Sequence, residues 1–474
     1  MPTRALCIML AATCRLAHPW ATPRHALARL VGPRPFAQFG SAGTVDHMPR
    51  ARVLGLGDIA AAAAYLRRGG LVAFPTETVY GLGASTRSDA ALAAIFAAKG
   101  RPRTDPLIVH VLSVDDALAE MDARARPSYE AVLRVLACAF WPGPLTLVVP
   151  AAASVSPLVT AETGWVGLRS PSHPVARALL QAAAVPIAAP SANRFGHVSP
   201  TCARHVLDDL GSENLVVLDT RDPSDTRDPS DTVSGDARDC HIGIESTVVR
   251  VQERAADGVG PPHFDVTVLR AGAVAASVLR EALSAAGRVT VTEAAPARAR
   301  EASLEADLEA SPGASRESSL EGSGGPIHVS PGQLLKHYAP NVPAFVAPGN
   351  RPVSAAVARA LTQGGEGAVV VVVDVGGRLA WTTGLPGVAV LYRDLSPAGS
   401  SVEAAAALFS GLRWAESVPA AAAVLLPDLS PSGGAVTKTT RRGDEGQCEG
   451  DRNAEGMAAV WDRIFRSASG RNAW

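Results

Sequence analysis

The sequence predicts an α/β protein built as two unequal units, and three observations carry that prediction. The chain has 474 residues, about three times the ~150 residues of an average domain. Short apolar runs alternate with alanine-rich stretches of helical length from residue 51 onward. A polar segment then separates this long stretch from a shorter one that repeats the alternation.

In the first unit, 51–292, strands are predicted at Leu71–Phe74, Leu107–Leu112, Leu145–Val149, Val166–Arg169, Val185–Ala189, Leu215–Asp219, Ser246–Val251 and Val266–Arg270, each a short aliphatic run. Helices are predicted at Asp89–Lys99, Ser128–Phe140, Pro174–Ala183, Thr201–Leu210 and Ala275–Ala285. Several begin near Ser, Asp or Thr, and Gly100 and Gly211 supply stops. The hexapeptide TRDPSD is written twice from Thr220 to Asp231, too polar and proline-rich to pack, so 220–240 reads as a surface insertion. Segment 293–327 has no aromatic residue and the composition of a flexible linker. The second unit, 328–474, offers strands Ala344–Val346, Ala368–Asp374, Val388–Tyr392 and Ala422–Leu426. Helices Val353–Leu361, Val402–Glu416 and Glu455–Ser467 alternate with them as in a parallel sheet, and Ser430–Arg452 reads as another solvated insertion.

Residues 1–50 hold six arginines (Arg4, Arg15, Arg24, Arg29, Arg34, Arg50) against one acid, Asp46. That is the balance of an organelle transit segment, so mitochondrion or cytoplasm is expected; a secretory signal and an extension without an address are the alternatives. Across the chain 44 basic groups face 45 acidic ones, so any anion binding is local. No apolar run approaches the ~20 residues that span a bilayer. Six cysteines without a CxxC pair argue against a disulfide framework or a zinc site. Only Lys99, Lys336 and Lys438 are lysines, which singles each of them out.

No phosphate loop of the GxxxxGK[ST] kind, HExxH, GxSxG elbow or helix-opening GxGxxG is present. The polar candidates stand instead at strand ends, where α/β folds bind ligands. After Leu71–Phe74, Thr76, Thr78 and Tyr80 would share one face of an extended backbone, and Gly81 and Gly83 would let it pass close to a ligand. A half-buried strand with a wet hydroxyl face is the alternative. Lys99 and Arg101 either cap a helix with Gly100 or form a cationic lip for a polyphosphate. In a chain that prefers arginine, a retained lysine favours the lip. His110 and Arg169 end strands, and a guanidinium at a strand end suits a carboxylate. Ser191 and Asn193 follow Val185–Ala189, while Ser246 and Arg270 stand on later strands; each either faces a ligand or caps a loop.

Taken in order, PTETVYGLG (75–83), KGRP with PLIVH (99–102, 106–110), WPGPLT (141–146), GLRSPSHP (167–174), APSAN (189–193), ESTVV (245–249), LRAG (269–272), SPGQLLKHYAP (330–340) and the helix GMAAVWDRIFRSAS resemble the YrdC-type threonylcarbamoyl-AMP synthase family in its two-domain form. The resemblance implies a YrdC-like mixed α/β domain with a twisted sheet and a concave nucleotide site, and a smaller Rossmann-like α/β domain after it. It implies an enzyme that joins L-threonine, bicarbonate and ATP into L-threonylcarbamoyl-AMP with release of pyrophosphate, with Mg2+ on the ATP. The product passes to a tRNA threonylcarbamoyl transferase complex, which modifies the adenosine next to the anticodon.

By the same resemblance Thr78, His110, Arg169, the backbone at Ala189 and Ser246 hold threonine. Lys99, Arg101, Asp105, Ser191, Asn193, Ser199 and Arg270 surround ATP, and Tyr338 folds back over it. No covalent nucleophile is implied, and the metal ligands stay unassigned. Asp105 stands where the family has Asn or His, so it must bind magnesium or point away from the phosphates. Trp165 replaces a small hydroxyl residue and LRAG replaces LRPG. The competing reading, a non-catalytic module for tRNA or double-stranded RNA, is disfavoured by the balanced charge.

Overall fold

The computed structural model describes residues 51–221, 240–254, 262–284, 287–294, 337–348, 367–384, 388–430 and 444–471. The leader, nearly all of insertion 220–240, the linker beyond residue 294 and the predicted helix Val353–Leu361 lie outside them.

The large sheet contains, in chain order, β1 (Arg52–Leu54), β2 (Leu71–Pro75), β3 (Tyr80–Ser85), β4 (Ile108–His110), β5 (Leu145–Pro150), β6 (Trp165–Arg169), β7 (Ile187–Ala188), β8 (Leu215–Leu218), β9 (Thr247–Arg254), β10 (His263–Arg270) and β11 (Val289–Glu293). They lie in the order β1-β8-β2-β3-β7-β4-β6-β5-β9-β10-β11. β4 and β6 pair parallel, as do β5 and β9, whereas β2–β3, β5–β6 and β9–β10 are antiparallel. The small sheet is wholly parallel: β12 (Ala344–Ala347), β13 (Val369–Asp374), β14 (Ala389–Asp394) and β15 (Ala421–Pro427), ordered β12-β15-β13-β14.

The departures from the predicted elements have local causes. The Val185–Ala189 run yields only the two-residue β7, because Pro186 and Pro190 lack the N–H a ladder needs. β3 extends the hydroxyl segment as the return arm of a hairpin, with Pro75 opposite Tyr80. Tyr80 therefore enters the core, fully buried, and shares no wet face with Thr76 and Thr78. Helix Ile59–Arg67 carries too many alanines to show an apolar period, and β11 is a half-exposed edge strand; neither was predicted. The last helix runs Asp444–Ser467, so helix replaces the second half of the expected insertion Ser430–Arg452. Helix Asp89–Lys99 behaves as its sequence dictates: Ser88 Oγ accepts from Ala91 N, and Gly100 ends it at φ 63°.

Helices Asp89–Lys99 and Arg126–Phe140 cover one face of the large sheet and helices Ile59–Arg67 and Pro174–Ala183 the other. A further core joins the two units, packing Val79, Val198, Ile244 and Tyr338 with Leu408 and Phe409 of helix Ser401–Ser417. Gly243, at φ 74°, makes this contact possible, since a Cβ there would fall 2.4 Å from the Ala405 carbonyl oxygen.

An ionic clasp edges the same junction. His197 Nδ1 donates to Asp209 Oδ2 at 2.8 Å and Nε2 to Glu416 Oε1 at 2.8 Å, while Arg413 Nη1 reaches Asp209 Oδ1 at 2.7 Å. Burial alone would lower the His197 pKa, but the two carboxylates outweigh it and raise it above the ordinary 6.5. The clasp is therefore at full strength below 6.5 and is lost as pH rises through the raised value. Thermal melting followed from pH 6 to pH 9 is expected to show a falling Tm, and His197→Gln to flatten that slope; an unchanged slope would refute the clasp.

Candidate active site

Several strand ends converge at one edge of the large sheet. β4 and β6 are parallel with His110 opposite Arg169, so both side chains finish together. β5 and β9 begin at that edge, which puts Ser246 there, and β10 returns antiparallel to end on Arg270. The β2–β3 connection and the loop after β7 close the cleft, with Gly81 bridged to Ser191. A Cβ on Gly81 would come within 3.2 Å of the Ala189 methyl, so this approach favours glycine. The cleft together with the solvent at its open mouth makes about 560 Å³ of atom-free space. Of the predicted residues, Thr78, His110, Arg169, Ala189, Ser191, Ser246, Arg101, Arg270 and Tyr338 line it. Lys99, Asp105, Asn193 and Ser199 sit behind the wall.

Arg169 is held by a chain of hydrogen bonds. Its Nη2 donates to Glu77 Oε1 at 2.6 Å and to Thr78 Oγ1 at 3.0 Å. Thr76 Oγ1 donates to the Val79 carbonyl at 2.6 Å, so the 2.8 Å contact between the two threonine hydroxyls has Thr78 as donor. Glu77, fully buried, also accepts from Ser172 N and His173 N. Burial would raise its pKa, but Arg169 and these donors hold it below the ordinary value. Glu77 was not singled out from the sequence, although an acid inside an otherwise uncharged TETV run is the signal that could have found it. Burial, reinforced by Arg169, pushes the His110 pKa down to about 3, so its ring is neutral at physiological pH.

The other guanidiniums of the cleft differ in their partners. Arg101 is paired with Asp105 at 2.9 Å and also donates to the Pro106 carbonyl at 2.8 Å, so Asp105 points away from the cleft, back onto Arg101. Among the described residues Arg270 donates to Ser246 alone, at 2.8 Å to its carbonyl and 3.2 Å to its Oγ, and meets no carboxylate. The Lys99 ammonium is spent on the loop backbone, 2.6 Å from the Ser191 carbonyl and 2.5 Å from that of Asn193. Asn193 in turn spans the loop to the Arg194 and His197 carbonyls, each at 2.8 Å. Trp165 lies away from the cleft, its ring under Arg250.

Two wall residues, Glu245 and His337, were not predicted. Glu245 accepts from Ser199 Oγ at 2.6 Å and from Arg463 Nε at 3.2 Å. Tyr338, at φ 62°, packs its ring on His337 at 4.1 Å and on Phe409 at 5.3 Å. Its hydroxyl is buried in the cleft wall and has no hydrogen-bond partner among the described residues, a group that calls for a ligand. Burial and Glu245 push its pKa up to about 12. Resident magnesium does not fit this wall: both Glu245 oxygens are engaged, Asp105 is paired, and no cluster of metal-ligating side chains occurs among the described residues. No helix among them is long and apolar enough to cross a membrane.

The comparisons with known proteins agree with this geometry. A family model described as telomere recombination matches residues 64–242, and one described as threonylcarbamoyl-AMP synthase, C-terminal domain, matches 301–469. The threonylcarbamoyl-AMP synthase of Pyrococcus abyssi is 41% identical over 192 residues, which cover 40% of this chain and 50% of the relative. The chain thus spans about half the length of that curated relative. A putative threonylcarbamoyl-AMP synthase of Mycobacterium tuberculosis is 40% identical over 34% of this chain and 71% of its own. The crystal structure of P. abyssi Sua5 complexed with L-threonine superposes with a TM-score of 0.59 at 27% identity, covering 89% of this chain and 98% of that one. A mixed sheet whose strand ends gather these arginines and hydroxyls, a second unit with a parallel sheet that shares a core with the first, and matches along both units place the chain in the threonylcarbamoyl-AMP synthase family.

Proposed function

We propose that the chain condenses L-threonine, carbon dioxide drawn from bicarbonate, and ATP into L-threonylcarbamoyl-AMP and pyrophosphate. The observation that carries this reading is the set of groups lining one cleft, with Arg169 hydrogen-bonded to Thr78 and with Arg270, which meets no carboxylate among the described residues, anchored on Ser246. A guanidinium beside a hydroxyl suits the carboxylate of a free amino acid, and the P. abyssi relative was crystallised with L-threonine. Thr78, the neutral His110, the backbone at Ala189 and Ser246 then complete the threonine subsite. Arg270, Arg101, Ser191 and Tyr338 face the nucleotide, with magnesium arriving as the counter-ion of ATP. Lys99, Asn193, Ser199 and Asp105 act one layer back, holding the groups that make contact.

The chemistry needs no side-chain nucleophile. The threonine amine adds to carbon dioxide and loses a proton, which combines with the hydroxide left from bicarbonate to give water. A carbamate oxygen then attacks the α-phosphorus in line while the bond to pyrophosphate breaks. Alignment and charge neutralisation carry such a reaction. The product would pass to a tRNA-modifying transferase, with tRNA or double-stranded RNA as a further partner. The arginine-rich leader supports the mitochondrion, with the cytoplasm as alternative.

Pyrophosphate release from ATP, with threonine and bicarbonate omitted in turn, tests the reading. Release that requires both is expected. Release indifferent to threonine, or ATP binding without release, would overturn it and leave the binding-module reading.

A further inference from the structure

We propose that Arg463, on the last helix of the second unit, is a positioning residue for the phosphate end of the cleft: it neutralises Glu245, so that a carboxylate can stand in a wall that receives a polyphosphate. The proposal rests on the reading that this cleft binds ATP. Glu245 lies in the wall beside Ser246 and near Arg270. Unbalanced, its charge would repel a triphosphate where Arg270, which meets no carboxylate among the described residues, attracts it.

Arg463 supplies the balance from the other unit. It is 0% exposed. Its Nε is 3.2 Å from Glu245 Oε2, its Nη1 donates to the Ala271 carbonyl at 2.6 Å, and its guanidinium carbon stands 5.7 Å from the Tyr338 ring centroid. One side chain thus holds the acid, ties down the residue after Arg270 and backs the tyrosine. The second acid within reach, Asp462, is 3.4 Å away and one-third exposed, and it is shared with Arg466 at 3.0 Å. Glu245 is therefore the buried acid that Arg463 answers. The same helix packs Val460 and Ile464 into the core that joins the units, so the cleft's charge balance depends on the second unit being docked.

The test titrates inorganic pyrophosphate into the full chain by calorimetry, which needs no turnover, and measures KM for ATP and for threonine. Arg463→Met is expected to weaken pyrophosphate binding and raise the KM for ATP by about tenfold, leaving the KM for threonine unchanged. The double variant Glu245→Gln with Arg463→Met should recover most of that loss although neither charge remains. Glu245→Gln alone should bind pyrophosphate more tightly than the wild type. A double variant no better than Arg463→Met would mean that Arg463 only packs, and would overturn the proposal. If Arg463→Met does not fold, Glu245→Gln decides by sign, since unchanged or weaker pyrophosphate binding refutes the charge argument. A wild type that binds pyrophosphate but never releases it from ATP refutes the proposed activity, while the titrations still decide the role of Arg463. A wild type that binds no pyrophosphate overturns both.

Discussion

Replacing Arg169 with methionine is expected to abolish threonine-dependent pyrophosphate release and to lower thermal stability at the same time. Two separable effects combine. The first is loss of the guanidinium that would take the amino acid carboxylate. The second falls on Glu77, which is fully buried and whose partners besides Arg169 are the backbone N–H groups of Ser172 and His173. Removing one partner of such a pair costs about 3–5 kcal/mol, because an uncompensated charge stays in the interior. Glu77→Gln introduced together with Arg169→Met should restore much of the melting temperature and none of the activity. Arg169→Lys should keep the ion pair but lose the fork geometry, giving a folded enzyme with a raised KM for threonine. A normal KM for threonine in either folded variant would remove Arg169 from the threonine subsite.

Parts of this site were legible in the sequence because strand ends fix where a side chain emerges. Arg169, His110, Ser246 and Arg270 end or precede aliphatic runs, and all four line the cleft. The acids were less legible. Glu77, Asp105 and Glu245 look like anomalies in an anion site until the guanidiniums of Arg169, Arg101 and Arg463 are seen against them. Two of these pairs join residues 92 and 218 positions apart, which no local pattern reveals. Lysine scarcity marked Lys99 as singular but could not name its partner, and the structure turns its ammonium onto the loop carbonyls of Ser191 and Asn193. At the level of the fold, alternating apolar runs made the α/β class and the parallel second sheet readable. Hairpin β2–β3 was missed because Tyr80, Leu82 and Ala84 belong to the core while their glycine neighbours Gly81 and Gly83 erase the alternation.

Gly272→Ala is expected to cut turnover by about a hundredfold while leaving the protein folded, for a reason that no side-chain contact discloses. A Cβ on Gly272 would lie 2.4 Å from Thr247 N, 2.5 Å from the Glu245 carbonyl oxygen and 2.6 Å from Ser246 C. All three are backbone atoms, so rotation of a neighbouring side chain cannot relieve the contact. The 245–247 segment or the turn after β10 must move. Those two segments carry Ser246 and Arg270, and the Arg270 guanidinium is anchored to the Ser246 carbonyl at 2.8 Å, so any shift changes both ends of one hydrogen bond. A displacement of about 1 Å in a positioned reactant is enough to lose about 10²-fold in rate. The core strands keep their partners: β9 stays paired with β5 and β10, which is why the loss should appear in kcat and in the KM for ATP before it appears in Tm. The comparison that isolates the cause is Gly57→Ala, at a glycine whose added Cβ meets nothing within 4 Å. Equal activity in the two variants would show that the close passage at Gly272 does not set the geometry of the cleft.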